Sequence, residues 1–331
     1  MVRSRITGTG FYVPEKVVTN FDLEKLMDTN DQWIRERAGI GERRFVDSEI
    51  GPAGLAHEAA KIALDKAGLV PQDIDFIIFA TLSPEYLFPG SGVILQAKLG
   101  IPGVPALDVR NQCTGFLYAL SVADQFIKTG MYKKIMVVGA EVHSTGLDMT
   151  TRGRDVAVLF GDGAGVAIVE PSDDPDRGIL STHLHADGRY AKELIGENPG
   201  GLHIPRLTHE MLEDGTTYPY MNGRQVFKHA VVNFCSAIQE CLDANHVSPN
   251  EVGLVIPHQA NQRITEAVAQ RFNYTEKKVF SNIHKYGNTT AASIPIALAE
   301  ALIEGRINKG DYVVLVAFGS GFTWGSVLMR W

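Results

Sequence analysis

Hydrophobic positions along this chain switch repeatedly between two spacings. From Ala53 to Gly68, Leu55, Ala59, Ala60, Ala63, Leu64 and Ala67 fall at helical intervals, and Gly68 closes the run. After Pro71 the pattern becomes continuous, Ile74-Asp75-Phe76-Ile77-Ile78-Phe79-Ala80, as in a strand buried on both faces. The same succession returns later, with a helix over 234–245 and the apolar run Val252-Gly253-Leu254-Val255-Ile256 after Pro249. Leu242, Asp243, Pro249 and Ile256 each lie 178 residues beyond Leu64, Asp65, Pro71 and Ile78. A second unit repeats as well. Gly130 lies 17 residues beyond Cys113 and Gly305 17 beyond Asn288, each stretch a small-residue start, an apolar helix and a glycine stop. Hydrophobic strands follow both, Lys134–Gly139 and Tyr312–Ala317.

Helices alternating with buried strands predict an α/β class of layered sheets. The repeats divide the chain into two related halves, 1–172 and 173–331. They also give Cys113 and Asn288 equivalent places at two helix starts, which a pseudo-twofold axis would bring towards one another. Residues 5–13 read as a further strand. Its Gly8 and Gly10 do not make a dinucleotide fingerprint, because the third glycine is missing and Pro14 ends the run before any helix. Gly161-Asp162-Gly163-Ala164-Gly165 is excluded in turn, since a strand pattern follows where a phosphate-binding helix should start.

Composition narrows the picture little. With 331 residues, 45% hydrophobic, the chain buries a large core as one double-sized unit or two domains. A net charge of -7, mixed in sign along the chain, argues against a nucleic-acid partner. No apolar window of about 18 residues is present and the N-terminus runs straight into a strand, so no membrane span and a cytoplasmic location are expected. Cys113, Cys235 and Cys241 have no metal-like spacing and suit a reducing compartment, the latter two as core filler. The neighbourhood of Thr182, His183 and His185 offers no evident third ligand, so no metal is expected.

Three residues carry candidate chemistry. Cys113, in Asn111-Gln112-Cys113-Thr114-Gly115, stands at the first turn of a helix, where free N–H groups and the positive end of the dipole favour a reactive thiolate. A free cysteine is also commonly just a small buried hydrophobe. His258, just beyond the second-half strand, is placed to face a crevice at the sheet's edge, or else to bond locally. Asn288, in Tyr286-Gly287-Asn288-Thr289-Thr290, is either part of a site or an ordinary helix N-cap.

Together with Phe-Gly-Asp-Gly-Ala-Gly at 160–165, Met-Asn-Gly-Arg at 221–224, His-Gln-Ala-Asn at 258–261 and Phe-Gly-Ser-Gly-Phe-Thr-Trp-Gly at 318–325, these stretches resemble the β-ketoacyl-acyl-carrier-protein synthase III family of the thiolase superfamily. The resemblance covers nearly the whole chain. It implies a thiolase-like layered fold of two duplicated halves, with Cys113, His258 and Asn288 as the catalytic set. It implies backbone N–H groups of Cys113 and Ser320 as the oxyanion hole, although Ser320 stands where the family often has glycine. Trp33, Arg37, Arg154 and Asn261 correspond to coenzyme A contacts, with Arg152 a competitor of Arg154. Arg263 corresponds to a carrier-protein contact, supplemented weakly by Lys277 and Lys278, and Phe88 to a residue that enters the acyl pocket of a partner subunit in a homodimer.

The implied reaction is a decarboxylating Claisen condensation of an acyl-CoA starter with malonyl-acyl-carrier protein, through an acyl-Cys113 intermediate, which initiates fatty acid synthesis. A cysteine nucleophile suits acyl transfer from a thioester, and two preorganised donors suit a growing enolate, at on the order of 3 kcal/mol each. No cofactor beyond the coenzyme A thioester substrate is needed. The alternatives are a condensing enzyme of polyketide, quinolone or long-chain olefin synthesis with another acceptor, and a non-catalytic acyl-CoA-binding scaffold. The 187–220 segment, rich in Gly, Pro and His, is expected to shape the acyl or pantetheine tunnel.

Overall fold

The structure, a computed structural model, describes residues 2–331. Its principal strands are β1 (Ser4–Tyr12), β2 (Phe76–Ala80), β3 (Ala106–Val109), β4 (Ile135–Glu141), β5 (Gly163–Pro171), β6 (Gly178–Ala186), β7 (Val252–Pro257), β8 (Tyr312–Gly319) and β9 (Thr323–Arg330). Its principal helices are α1 (Asp31–Ala38), α2 (Pro52–Ala67), α3 (Gly115–Lys128), α4 (Gly223–Ala244), α5 (Gln262–Arg271) and α6 (Ser293–Ile303).

Two sheets share one plan. The first runs β1-β5-β4-β2-β3 and the second β6-β9-β8-β7. Each has a parallel pair, β2 with β4 and β7 with β8, and then two antiparallel neighbours. The second sheet has no full counterpart of β3. A single parallel bridge between Val255 and Val279 stands in that place, with Val255 N–H donating to Lys278 O at 2.8 Å and Phe280 N–H to Val255 O at 2.9 Å. The short 3-10 turns Pro71–Asp73 and Pro249–Glu251 precede the equivalent strands β2 and β7.

Helices α3 and α6 lie between the sheets. Phe116, Leu120 and Ile127 of α3 join Ile294, Leu298 and Ala301 of α6 in a core with Ile78 and Val137 of the first sheet and Leu315 and Val327 of the second. Complete burial of each such leucine or isoleucine is worth about 1.5–3 kcal/mol, so this shared layer binds the two sheets into one body. Glycines end both helices in the left-handed conformation, Gly130 at φ 75° and Gly305 at φ 66°. Outer layers complete the stack. Helix α2 covers the first sheet through Leu55, Ala59 and Ala63 on Ile77 and Phe79, and α4 covers the second through Phe234, Ile238 and Leu242 on Val255 and Val314.

The glycines of β1 have a packing cause. A Cβ on Gly10 would lie 2.3 Å from Ala59 O, and one on Gly8 2.2 Å from Ala63 O, so glycine lets α2 lie directly on the strand. Two boundaries differ from the sequence pattern. The helix expected from residue 234 starts at Gly223, because its first turns are mixed and half-exposed, and the strand expected from Ile74 starts at Phe76, after the 3-10 turn. No helix among the described residues is long and apolar enough to cross a membrane.

Candidate active site

A cavity of about 530 Å³ opens beside α1 and α5 and ends among buried residues of both sheets. Cys113, His258 and Asn288 line it, at 7%, 2% and 6% exposure, whereas Arg37 and Arg263, also lining it, are exposed to solvent. The three candidates therefore meet at its closed end, with Leu194, Met221, Phe160 and Phe318 as apolar walls.

Cys113 lies in the 3-10 turn Gln112–Thr114 that leads into α3. Gln112 holds φ 46°, a left-handed backbone uncommon for a residue other than glycine. Gly319, at the end of β8, approaches so closely that an added Cβ would lie 2.6 Å from Cys113 Cβ and 2.9 Å from Sγ. The backbone N–H groups of Ser320 and of Cys113 itself favour the charged form of the sulfur. Ser320 stands comfortably in this turn. The left-handed conformation belongs to Gly321, at φ 138°, and Ser320 Oγ donates to Leu194 O.

The sequence favoured a resting thiolate; the structure gives a thiol. Burial, and then the charge of Glu141, push the Cys113 thiol up to about 12, against the opposing backbone N–H groups. Loss of solvation outweighs the helix start. Glu141, fully buried at the end of β4, accepts from Ser83 Oγ at 2.6 Å, Thr81 Oγ1 at 3.1 Å and the N–H groups of Leu82 and Ala291. Burial raises its carboxyl to about 7, although these hydrogen bonds oppose the shift.

His258 follows β7 directly, its N–H donating to Val316 O at 2.8 Å. Its Nδ1 lies 2.6 Å from Ser293 Oγ, and that oxygen also accepts from Gln259 N–H at 3.4 Å. When the Ser293 hydroxyl donates to Nδ1, the ring hydrogen sits on Nε2. Nε2 itself is buried without a hydrogen-bond partner among the described residues. Burial pulls the imidazole down to about 3, so the ring is neutral. Asn288 is no plain helix cap. Its N–H donates to Leu159 O at 2.8 Å, its own C=O accepts from Gly161 N–H at 3.0 Å, and Oδ1 accepts from Thr290 N–H at 2.9 Å. The amide Nδ2 is the group left to donate.

Nearer the mouth, Trp33 is half-buried, with the Arg37 guanidinium 4.7 Å and the Arg154 guanidinium 5.2 Å from its ring centroid. The structure separates the two competing arginines. Arg152 is held by Asp148 at 2.6 Å and Glu213 O at 2.8 Å, while Arg154 faces Trp33. Asn261 caps α5 by accepting from Arg263 N–H and donates to Arg37 O at 2.9 Å, tying the two cavity-lining helices together. Arg263 lies over Phe227, 5.3 Å from its centroid. Lys278 is turned away to Asn250 O. Of the 187–220 segment, Leu194 reaches the cavity wall.

Phe88 is not part of this chain's own cavity; it is 81% exposed, beside Tyr86 and Leu87 at 62% and 70%. His183 and His185 do gain a neighbour the sequence concealed, Glu240, at 3.4 and 2.6 Å. Even so, no cluster of three such groups able to hold a metal occurs among the described residues. Sequence reasoning also missed Ser293, five residues after Asn288 in the same small-residue run, and the buried Glu141 and His143.

Comparison with known proteins identifies the family. Residues 107–188 match the family model of 3-oxoacyl-[acyl-carrier-protein (ACP)] synthase III, and residues 242–331 match that of its C-terminal part. A β-ketoacyl-[acyl-carrier-protein] synthase III of Caldanaerobacter subterraneus subsp. tengcongensis is 46% identical over 330 residues, 100% of this chain and 98% of that protein. The chain belongs to the β-ketoacyl-[acyl-carrier-protein] synthase III family. The crystal structure of the Aquifex aeolicus 3-oxoacyl-[acyl-carrier-protein] synthase III superposes with a TM-score of 0.91 at 46% identity, covering 99% of this chain and 100% of that one. A priming β-ketosynthase from a polyketide biosynthetic pathway superposes at 0.89 with 29% identity, over 99% of this chain and 96% of that one. Membership in the synthase III family makes this chain a condensing acyltransferase of fatty acid biosynthesis with the thiolase fold.

Proposed function

We propose that the chain condenses an acyl-CoA starter with malonyl-carrier protein, the step that initiates fatty acid synthesis, using Cys113, His258 and Asn288. In the first half, Cys113 Sγ bonds to the thioester carbonyl carbon, the bond to coenzyme A sulfur breaks, and the thiol proton leaves with coenzyme A. The N–H groups of Cys113 and Ser320 receive the oxyanion. In the second half, the malonyl thioester loses carbon dioxide, and His258 Nε2–H and Asn288 Nδ2 donate to the thioester oxygen as enolate charge grows. The new carbon–carbon bond forms at the acyl carbonyl, the bond to Cys113 breaks, and the released thiolate takes up a proton. Two neutral donors fit this step because decarboxylation supplies the carbanion without a strong base.

The observation that carries this reading is the convergence of Cys113, His258 and Asn288 at the closed end of one cavity, with His258 Nε2 buried and without a partner among the described residues. Trp33, Arg37, Arg154 and Asn261 hold coenzyme A at the mouth, where a flat ring and guanidinium groups suit an adenine and its phosphates. Arg263, exposed beside that mouth, meets the acidic carrier protein. The exposed Tyr86-Leu87-Phe88 stretch and the open edge strand β3, with Leu107 39% exposed, support a homodimer in which Phe88 enters the partner's acyl pocket. The halves 1–172 and 173–331 each contribute one sheet and one end of the catalytic set. The reaction needs no cofactor beyond its thioester substrates, and the enzyme works in the cytoplasm.

The test is a product assay with acyl-CoA and malonyl-carrier protein, followed by separation of the β-ketoacyl-carrier protein and of carbon dioxide. Both appear in stoichiometric amounts if the proposal is right. Product formed only with malonyl-CoA or with a second acyl-CoA as acceptor assigns the chain to polyketide- or olefin-type condensation instead. Coenzyme A thioester binding without any product leaves a scaffold.

A further inference from the structure

Asn288 sits on a turn that depends on a backbone conformation its residues do not favour. Thr290 has φ 49°, in the left-handed region that β-branched residues rarely occupy. In that conformation its N–H donates to Asn288 Oδ1 at 2.9 Å. Something must hold Thr290 there, and the contact made by its side chain is with a histidine from the other half of the chain. Thr290 Oγ1 lies 2.7 Å from His143 Nε2, buried and 147 residues away in sequence.

His143 is itself firmly placed. Its backbone N–H donates to Asp162 Oδ1 at 2.7 Å, and its ring packs on Phe160 with centroids 4.7 Å apart. Phe160 in turn is bridged by its backbone to Asn288. His143 does not line the cavity that holds Cys113. Burial keeps its imidazole neutral, down to about 4, and the contact with Thr290 is therefore constant through the neutral range. Neighbouring Ala291 N–H is tied to Glu141 of the same half, which secures the next residue of the turn.

We propose that His143 is a positioning residue for the decarboxylating half of the reaction: by fixing Thr290 Oγ1 it keeps the Thr290 N–H on Asn288 Oδ1 and so aims Asn288 Nδ2 at the thioester oxygen. This rests on Asn288 being a donor to the enolate, as proposed above. The experiment measures Cys113 acylation and malonyl-thioester decarboxylation separately in the full-length enzyme. In His143→Leu, kcat for decarboxylation falls about tenfold while KM and the acylation rate stay within about twofold, since one donor has lost its aim. His143→Gln, whose amide nitrogen can reach the same hydroxyl, stays within about threefold of wild type. Adding Thr290→Gly to His143→Leu restores most of the rate, because glycine holds a positive φ without a clamp.

Should His143→Leu fail to fold, Thr290→Val removes the same hydroxyl and gives the same selective loss. Decarboxylation at the wild-type rate in His143→Leu and Thr290→Val overturns the inference. So does an equal fall in acylation and decarboxylation with no recovery in the double variant. Asn288→Ala separates the two levels. If it loses decarboxylation while His143→Leu does not, only the role of His143 fails; if it decarboxylates normally, the reading of Asn288 fails and takes this inference with it.

Discussion

The turns that carry Cys113 and Asn288 start equivalent helices, α3 and α6, in two sheets of the same plan, yet they do opposite things to their functional groups. Each turn includes one left-handed residue that is not glycine, Gln112 ahead of the cysteine and Thr290 behind the asparagine. At the first, burial and the charge of nearby Glu141 hold the thiol in its neutral form. At the second, Leu159, Gly161 and Thr290 fix the asparagine from three sides. One duplicated scaffold thus provides a nucleophile that stays protonated until it reacts and a donor whose direction does not change. The difference comes from the residues packed onto each turn and not from the helix starts, which are alike.

The comparison breaks first at the partner of the asparagine. His258→Ala removes the second donor and lowers decarboxylation by about a hundredfold while leaving Cys113 acylation nearly intact, which separate assays of the two half-reactions detect. Ser293→Ala has the same direction and about a tenfold size, because Nδ1 loses its hydroxyl partner and the ring its fixed orientation. At the cysteine turn, Gly319→Ala puts a methyl group against Cys113 and slows acylation, with a loss of about 1–3 kcal/mol of stability in denaturant titration. The smallest effect sharpens the electrostatic contrast. Glu141→Gln removes a negative neighbour, so the Cys113 thiol pKa falls from about 12 and its alkylation by iodoacetamide at a fixed alkaline pH rises about threefold. An alkylation profile unchanged by that substitution would mean that burial alone sets the thiol.

Much of this was legible in the sequence for a physical reason. Helical spacing followed by a continuous apolar strand is a local signal, and its recurrence at a fixed offset showed the α/β plan. The equal spacing from Cys113 and Asn288 to their glycine stops misled, because the turns Gln112–Thr114 and Thr290–Ala292 correspond and put Ala291, three residues past Asn288, in the place of Cys113. Other features had no local signal. His143 and Thr290 are joined only by the packing of two halves, as are Glu141 and Ala291, so neither pair leaves a motif. The protonated thiol was missed because helix polarity is visible in sequence whereas desolvation is not. Arg152, the competitor of Arg154 two positions away, is held by Asp148, a contact that leaves no motif. Gly8 and Gly10, which make no nucleotide fingerprint, serve as the flat surface under α2, a role that leaves no local signal.

The most direct test of the account is the intact mass of the protein after brief exposure to a panel of short, branched and long acyl-CoAs, with Cys113→Ala in parallel. One acyl group should add to the wild type and none to the variant, and the chain that adds fastest names the starter. No adduct with any acyl-CoA, or equal labelling of the variant, would contradict the role of Cys113 and with it the condensing mechanism derived from this site.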